Sequence, residues 1–390
     1  MRQKKIVSLV LVLIISFILC MISIKAQPNE GEKELLNYGV GLFNWEQIEN
    51  LQDKLQTALP GNEPFNLKDE MVSLLNGEKK LSVGNVLDFL GRSIFNEVGV
   101  FVQIGARFIL IVLLCNLLQV LTTSFKTKAT SKIGFFVCYM VIILSVVQSF
   151  SIMVNLARDT IYQLCEVMYV CLPTLLAFMT TTGYISSTTA MAPVIISGLD
   201  ICSTIILKLV LPCIISVVIL EIISTMSSEF KISNFIKLFY KGIKWLLVSI
   251  VGISVSLLGM YRMTLPYVDV ALKKSTLKLA TAFIPVVGNA TNGALEFTIG
   301  VLGLVKNTFA IAVVFWILVI VSVPLIKILA YILIYQFAGA VIEPMGDKKM
   351  ADIAVKLSKG CQFIMSCVGI VTVLCMLVLV ICMSVGGQIG

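Results

Sequence analysis

The chain has 390 residues, 58% of them hydrophobic and only 13% charged, with a mean hydropathy of +0.98. Soluble domains carry roughly 25% charged residues, so the deficit argues against a soluble enzyme and places much of the surface in lipid, where charge is not tolerated. The formal charge of +8 does not imply nucleic acid, because the bases sit in short loops between apolar runs, the positive-inside pattern.

Residues 1–26 read as a secretory signal. Arg2, Lys4 and Lys5 precede an apolar run over 6–24, and Ala26 supplies a small residue before a polar stretch. The length of the run and Lys25 leave an uncleaved anchor open. Residues 27–97 form an extracytoplasmic region with 12 acidic and 6 basic residues, a net of −6, which leaves 10 acidic and 24 basic, +14, for the rest. Asn44 and Gln47 fit a capping box. Trp45, Ile48, Leu51, Leu55 and Leu59 then make one apolar stripe at helical spacing, stopped by Pro60. Asn66 caps a second short helix with Met71, Leu74 and Leu75 on its apolar side, and a third begins near Ser82. The stripe serves either a small self-packed unit or a partner-binding surface.

Residues 98–390 form the membrane domain, with about 7–9 spans of roughly 20 apolar residues each. Candidates are 98–121, 133–157, 161–179, 191–207, 209–226, 243–261 and 361–384. The segment 284–305 is rich in Gly and Asn and reads as broken or re-entrant, with Pro285, Gly288, Asn289, Asn292 and Gly293 interrupting helix. The 34 residues of 309–342 exceed one straight crossing, and Pro324 with Lys327 divides them. With residue 27 outside, the lysine-rich loops around Lys126–Lys132, Lys231–Lys244 and Lys348–Lys359 all fall inside. The fold class is therefore all-α, a polytopic helical membrane protein.

Chemistry is narrowly bounded. The chain has no His, which rules out a Ser-His-Asp triad, a Cys-His pair and an H-E-x-x-H zinc site. No phosphate-binding G-x-x-x-x-G-K-[ST] loop occurs. The 11 Cys lie in apolar stretches without a C-x-x-C pair, so they read as small hydrophobes rather than metal ligands or disulfides. No cofactor or metal is expected. Ionisable residues within apolar runs remain, each disfavoured by roughly 2.5–3.5 kcal/mol at mid-helix. Arg107 and Lys208 read as snorkelling. Glu166, Asp200, Glu221, Glu296 and Lys327 are candidates for a buried polar network or pathway. Residues 268–279, with Lys273, Lys274 and Lys278, form an amphipathic pattern suited to the membrane interface.

Four strings, Phe283-Ile284-Pro285-Val286-Val287-Gly288, Leu304-Val305-Lys306-Asn307, Lys327-Ile328-Leu329-Ala330 and Pro344-Met345-Gly346-Asp347, resemble the stage III sporulation protein AE family of endospore-forming bacteria in order and spacing. Met345 stands where another aliphatic residue is expected. The signal, the polar region and the succession of spans extend the resemblance over nearly the whole chain. It implies a membrane component of a sporulation-specific, secretion-like channel complex. That complex lies in the mother-cell membrane around the engulfed forespore and supports late forespore gene expression. The implied partners are an ATPase, other membrane proteins and ring-forming proteins, besides membrane lipid. The resemblance brings no catalytic residues. A non-enzymatic subunit is thus the first reading. A self-contained secondary transporter is the alternative, which fits broken helices and buried charge but calls for inverted repeats that the sequence does not show.

Overall fold

The computed structural model describes residues 36, 38–41, 43–58, 66–75, 91, 99, 106, 109–110, 113, 128–226, 232–283, 288–345 and 348–385. Apart from short turns these residues are helical, and none of them lies in a strand. Two short helices come first, α1 (Trp45–Ala58) and α2 (Leu67–Leu75). Long apolar helices follow: α3 (Lys128–Thr181), α4 (Ile185–Ile205), α5 (Leu211–Met226), α6 (Ser233–Phe283), α7 (Gly288–Ile342) and α8 (Lys348–Ser384). A π-helical turn at Ile206–Val210 joins α4 to α5 without a break, and a 3-10 turn at Glu343–Met345 follows α7.

Local chemistry explains the turns that exist and those that do not. Gly183 has φ 88°, a conformation open to glycine without strain, and it reverses the chain between α3 and α4. Asn66 Oδ1 accepts from the backbone N–H groups of Lys68 (3.0 Å) and Asp69 (3.4 Å), the N-cap its position implies for α2. Pro173, Pro193 and Pro324 lie inside helices. In an apolar bundle a missing N–H bends a helix without ending it, because neighbouring groups satisfy the freed carbonyls.

Several expected boundaries are therefore corrected. The segments 133–157 and 161–179 lie on one unbroken helix, α3, and 191–207 and 209–226 on one continuous rod, α4–α5. Arg158-Asp159-Thr160 and Lys208 interrupt hydropathy, but a helix needs only its i→i−4 hydrogen bonds to continue. A rod that does not turn cannot cross and return. Among the described residues five rods are long and apolar enough to cross a membrane: Ile143–Thr181, Ile185–Thr225, Ser233–Asp269, Phe297–Ile342 and Lys349–Ser384. The two mergers before Lys231 together remove two crossings, an even number, so the lysine-bearing ends keep their common side. Gly288, Asn289, Asn292 and Gly293 are helical, in the first two turns of α7, and do not interrupt it. Pro285 lies outside the described residues, as do the third N-terminal helix near Ser82 and most of 98–121. The 309–342 stretch is likewise one helix through Pro324.

α8 is the centre of the bundle, packing on α7 above all, and on α3, α5 and α6. Its most apolar stretch has mean hydropathy 2.9 and is 78% buried, against 2.0 and 22% for α6. Glycines permit the close crossings, as small residues do wherever membrane helices must approach. A Cβ on Gly360 would lie 2.5 Å from Val218 and 3.0 Å from Phe150, and one on Gly339 would lie 3.2 Å from the Ala351 carbonyl oxygen. The N-terminal region docks on the opposite end of the rods: α1 packs on α3 and α2 on α7. Phe43 lies between Phe178 (4.6 Å, stacked) and Phe309 (4.5 Å, tilted). Ile48, Leu51 and Leu55 are buried and Trp45 is half-buried, its indole N–H donating to the Val40 carbonyl at 2.8 Å. The expected partner surface on this stripe is thereby corrected: the chain's own rods cover it, because an apolar stripe beside an apolar bundle is buried most cheaply there.

Candidate functional site

The polar groups of the rods gather at three levels rather than in one site. At the lysine-bearing end, α5, α6 and α8 meet around Glu221, which is 7% exposed. Tyr240 donates its phenolic O–H to Glu221 Oε2 at 2.6 Å. Lys356 donates to Thr225 Oγ1 at 2.8 Å and pairs with Asp352 at 2.7 Å. Lys356 and Lys359 both bring positive charge to bear on the Glu221 carboxylate. This cluster joins three helices through side chains that are themselves long and adjustable.

The opposite end is held differently. Asp269 of α6 is 4% exposed and accepts the backbone N–H groups of Ser186 (2.9 Å) and Ser187 (2.8 Å), one on each carboxylate oxygen. Those are first-turn donors of α4, which have no partner within their own helix, and a carboxylate there also meets the positive end of the helix dipole. Burial lifts the Tyr184 phenol above its ordinary range, and the Asp269 charge adds to that, so this neighbour stays uncharged. Lys306 of α7, 1% exposed, extends its ammonium to the end of α8, donating to the carbonyls of Cys382 (2.9 Å) and Val385. These are last-turn acceptors, and a cation suits that end of a helix.

Between the two ends, Tyr169 of α3 donates to Asp200 Oδ1 at 2.8 Å, and Lys54 of α1 pairs with Glu166 at 2.7 Å. Both pairs lie at the surface, the second with side chains 65% and 41% exposed.

The sequence-derived candidates thus separate. Glu221 is buried and networked, whereas Asp200 and Glu166 sit on an outer face, and Lys327 is half-buried midway along α7. Asp200 and Glu221 stand about 30 Å apart along one rod at 1.5 Å per residue. Glu296 is helical in α7, with its side chain outside the described residues. The structure adds Asp269, Lys306, Tyr240 and Lys356. Lys306 was legible only as part of a short string, because a lysine at the edge of a Gly-rich stretch looks solvated. Asp269 was hidden in an amphipathic lysine-rich segment. Among the described residues no group of three or more His, Cys, Asp or Glu is placed to hold a metal ion.

The family description "Stage III sporulation protein AE" matches residues 65–386. The stage III sporulation protein AE of Bacillus subtilis (strain 168) is 25% identical over 357 residues, covering 92% of this chain and 90% of that protein. No solved structure matches. With most of its length matched, the chain belongs to the stage III sporulation protein AE family.

Proposed function

We propose that this chain is a non-enzymatic membrane subunit of a sporulation-specific, secretion-like channel complex. That complex links mother cell and forespore and supports late forespore gene expression. Family membership gives the sporulation role, and the five long apolar rods make the chain a multi-pass membrane protein. The observation that carries the finer reading is where buried charge goes. Asp269 and Lys306 each bind backbone at the end of another helix, which braces the rods against one another. Such a frame suits a subunit that holds partners in register more than a carrier that must rock between two states. The partners in this reading are an ATPase, other membrane proteins and ring-forming proteins, in the mother-cell membrane around the forespore.

The test is the count of heat-resistant spores after clean deletion of the gene, with complementation. A collapse that complementation restores supports the reading. Unchanged counts overturn it and leave a self-contained transporter in its place. Within the complemented strain, Glu221→Leu and Lys327→Leu lower the count while the protein still inserts. Normal counts in both variants would show that neither group serves the complex.

A further inference from the structure

The first four turns of α6 carry lysines and large apolar side chains together on their outward side. Tyr240 sets the rotation of the helix at this end: its hydroxyl donates to Glu221 of α5, and its ring stacks on Phe363 of α8 at 5.0 Å. Ile236, Ile243 and Leu247, on the side of Tyr240, are buried. Lys237 and Lys241 are exposed and Lys244 is half-buried, a stripe spaced by four and three. Phe235, Leu238 and Trp245 are exposed beside it, Trp245 by 74%. Among the described residues none of the three lysines has an ion-pair or hydrogen-bond partner. α6 carries no Asp or Glu before Asp269 to offset their charge.

Beyond Trp245 the same helix changes character. The 17 residues Trp245–Tyr261 contain no charge, Val248, Ile253 and Met260 among them are exposed, and α6 is the least enclosed of the five rods. One outward surface therefore runs from positive charge, past an exposed indole, to apolar side chains alone. Water disfavours Phe235 and Leu238 standing exposed between lysines. The edge of a bilayer accepts both kinds of residue, with rings and alkyl stems in the apolar layer and ammonium groups among the headgroups. An acidic protein surface would pair the lysines and leave the apolar continuation unmatched. A phospholipid carries the two characters in the same order, an anionic phosphate followed by hydrocarbon.

We propose that this end of α6 binds acidic phospholipid, with the phosphate held by Lys237, Lys241 and Lys244 and the acyl chains lying along the face beyond Trp245. The inference rests on the multi-pass membrane character of the chain and not on its role in sporulation. The tryptophans supply the readout. Trp316 is 3% exposed and Trp45 is half-buried against Phe43 and Phe309, so quenching by lipid reports Trp245, and the Trp245→Phe chain gives the background. The purified full chain is reconstituted in vesicles of equal phosphatidylglycerol and phosphatidylcholine, with bromine on the acyl chains of one or the other. Brominated phosphatidylglycerol is expected to quench Trp245 about threefold or more as strongly as brominated phosphatidylcholine. Raising NaCl to about 0.5 M narrows that gap. A chain with Lys237→Gln, Lys241→Gln and Lys244→Gln loses the preference, and one with Lys237→Arg, Lys241→Arg and Lys244→Arg keeps it. Equal quenching by the two lipids in the native chain overturns the proposal, as does a preference that salt or the three Gln substitutions leave unchanged. Absence of quenching by either lipid also overturns it, by showing this face covered by protein. Loss of the preference in inorganic phosphate at matched ionic strength overturns it in favour of a free-phosphate site. The salt series uses the native chain alone and decides the matter even where the Gln chain fails to fold. Spore counts after deletion address the sporulation reading separately, and neither result there alters the lipid test.

Discussion

The two ends of the bundle are tied by different means. At the Asp269–Lys306 end, a charged side chain engages backbone groups that a helix terminus leaves open. At the Glu221–Lys356 end, side chains engage side chains, through Tyr240, Thr225 and Asp352. Backbone acceptors and donors at a helix end cannot rotate away to find other partners, so the first kind of tie fixes both position and direction. The second can rearrange among several nearby groups. The first end should accordingly be rigid and intolerant of change, and the second adjustable.

Substitutions probe that contrast, and thermal unfolding of the detergent-extracted protein reads it. Lys306→Glu is expected to have the largest effect, about 3–5 kcal/mol, because it buries an uncompensated carboxylate against carbonyl oxygens. Retention of the native midpoint would show that Lys306 does not hold α8. Asp269→Ala leaves two first-turn N–H groups of α4 without their acceptor and is expected to cost about 2 kcal/mol, with Asp269→Asn milder. Equal midpoints for the Ala variant and the native chain would remove the distinction between the ends. Gly360→Ala, at the adjustable end, places a methyl against Val218 and Phe150 and is expected to cost about 1–3 kcal/mol. Compensation by Val218→Ala would locate that strain, and failure to compensate would argue against it. Tyr240→Phe removes one hydrogen bond to Glu221 and should cost about 1 kcal/mol, since Lys356 and Lys359 remain near the carboxylate. A loss as large as that for Asp269→Ala would make the two ends alike. Lys54→Ala breaks an exposed pair and should move stability by under about 0.5 kcal/mol.

Sequence and structure part company where a charge meets an apolar run. Arg158-Asp159 and Lys208 look like the ends of spans because hydropathy falls there, yet α3 and the α4–α5 rod continue through them. Hydropathy reports what surrounds a residue, whereas helix continuity depends on backbone hydrogen bonds. The same distinction explains the helical Asn289 and Asn292, whereas Pro324 lacks an N–H and stays inside α7 because neighbouring groups satisfy the freed carbonyl. Cys165, Cys171, Cys361, Cys367, Cys375 and Cys382 are buried free thiols, as small hydrophobes in a packed bundle should be. The stripe at Ile48, Leu51 and Leu55 was visible at helical spacing, but its partner was not, because spacing describes one face and not the surface that meets it.

The sequence by itself determined the all-α membrane class, the lysine-bearing sides, the apolar stripe of α1 and the N-cap at Asn66, all of which depend on composition or on neighbours within one turn. Tertiary structure alone decided that α8 is enclosed by protein while α6 faces outward, since an apolar helix satisfies lipid and core alike. It also decided that Lys306 ends α8 and Asp269 begins α4. Those contacts join residues 76 and 82 positions apart, beyond the reach of any local pattern, and only the packing of the rods brings each charge to the helix end that needs it.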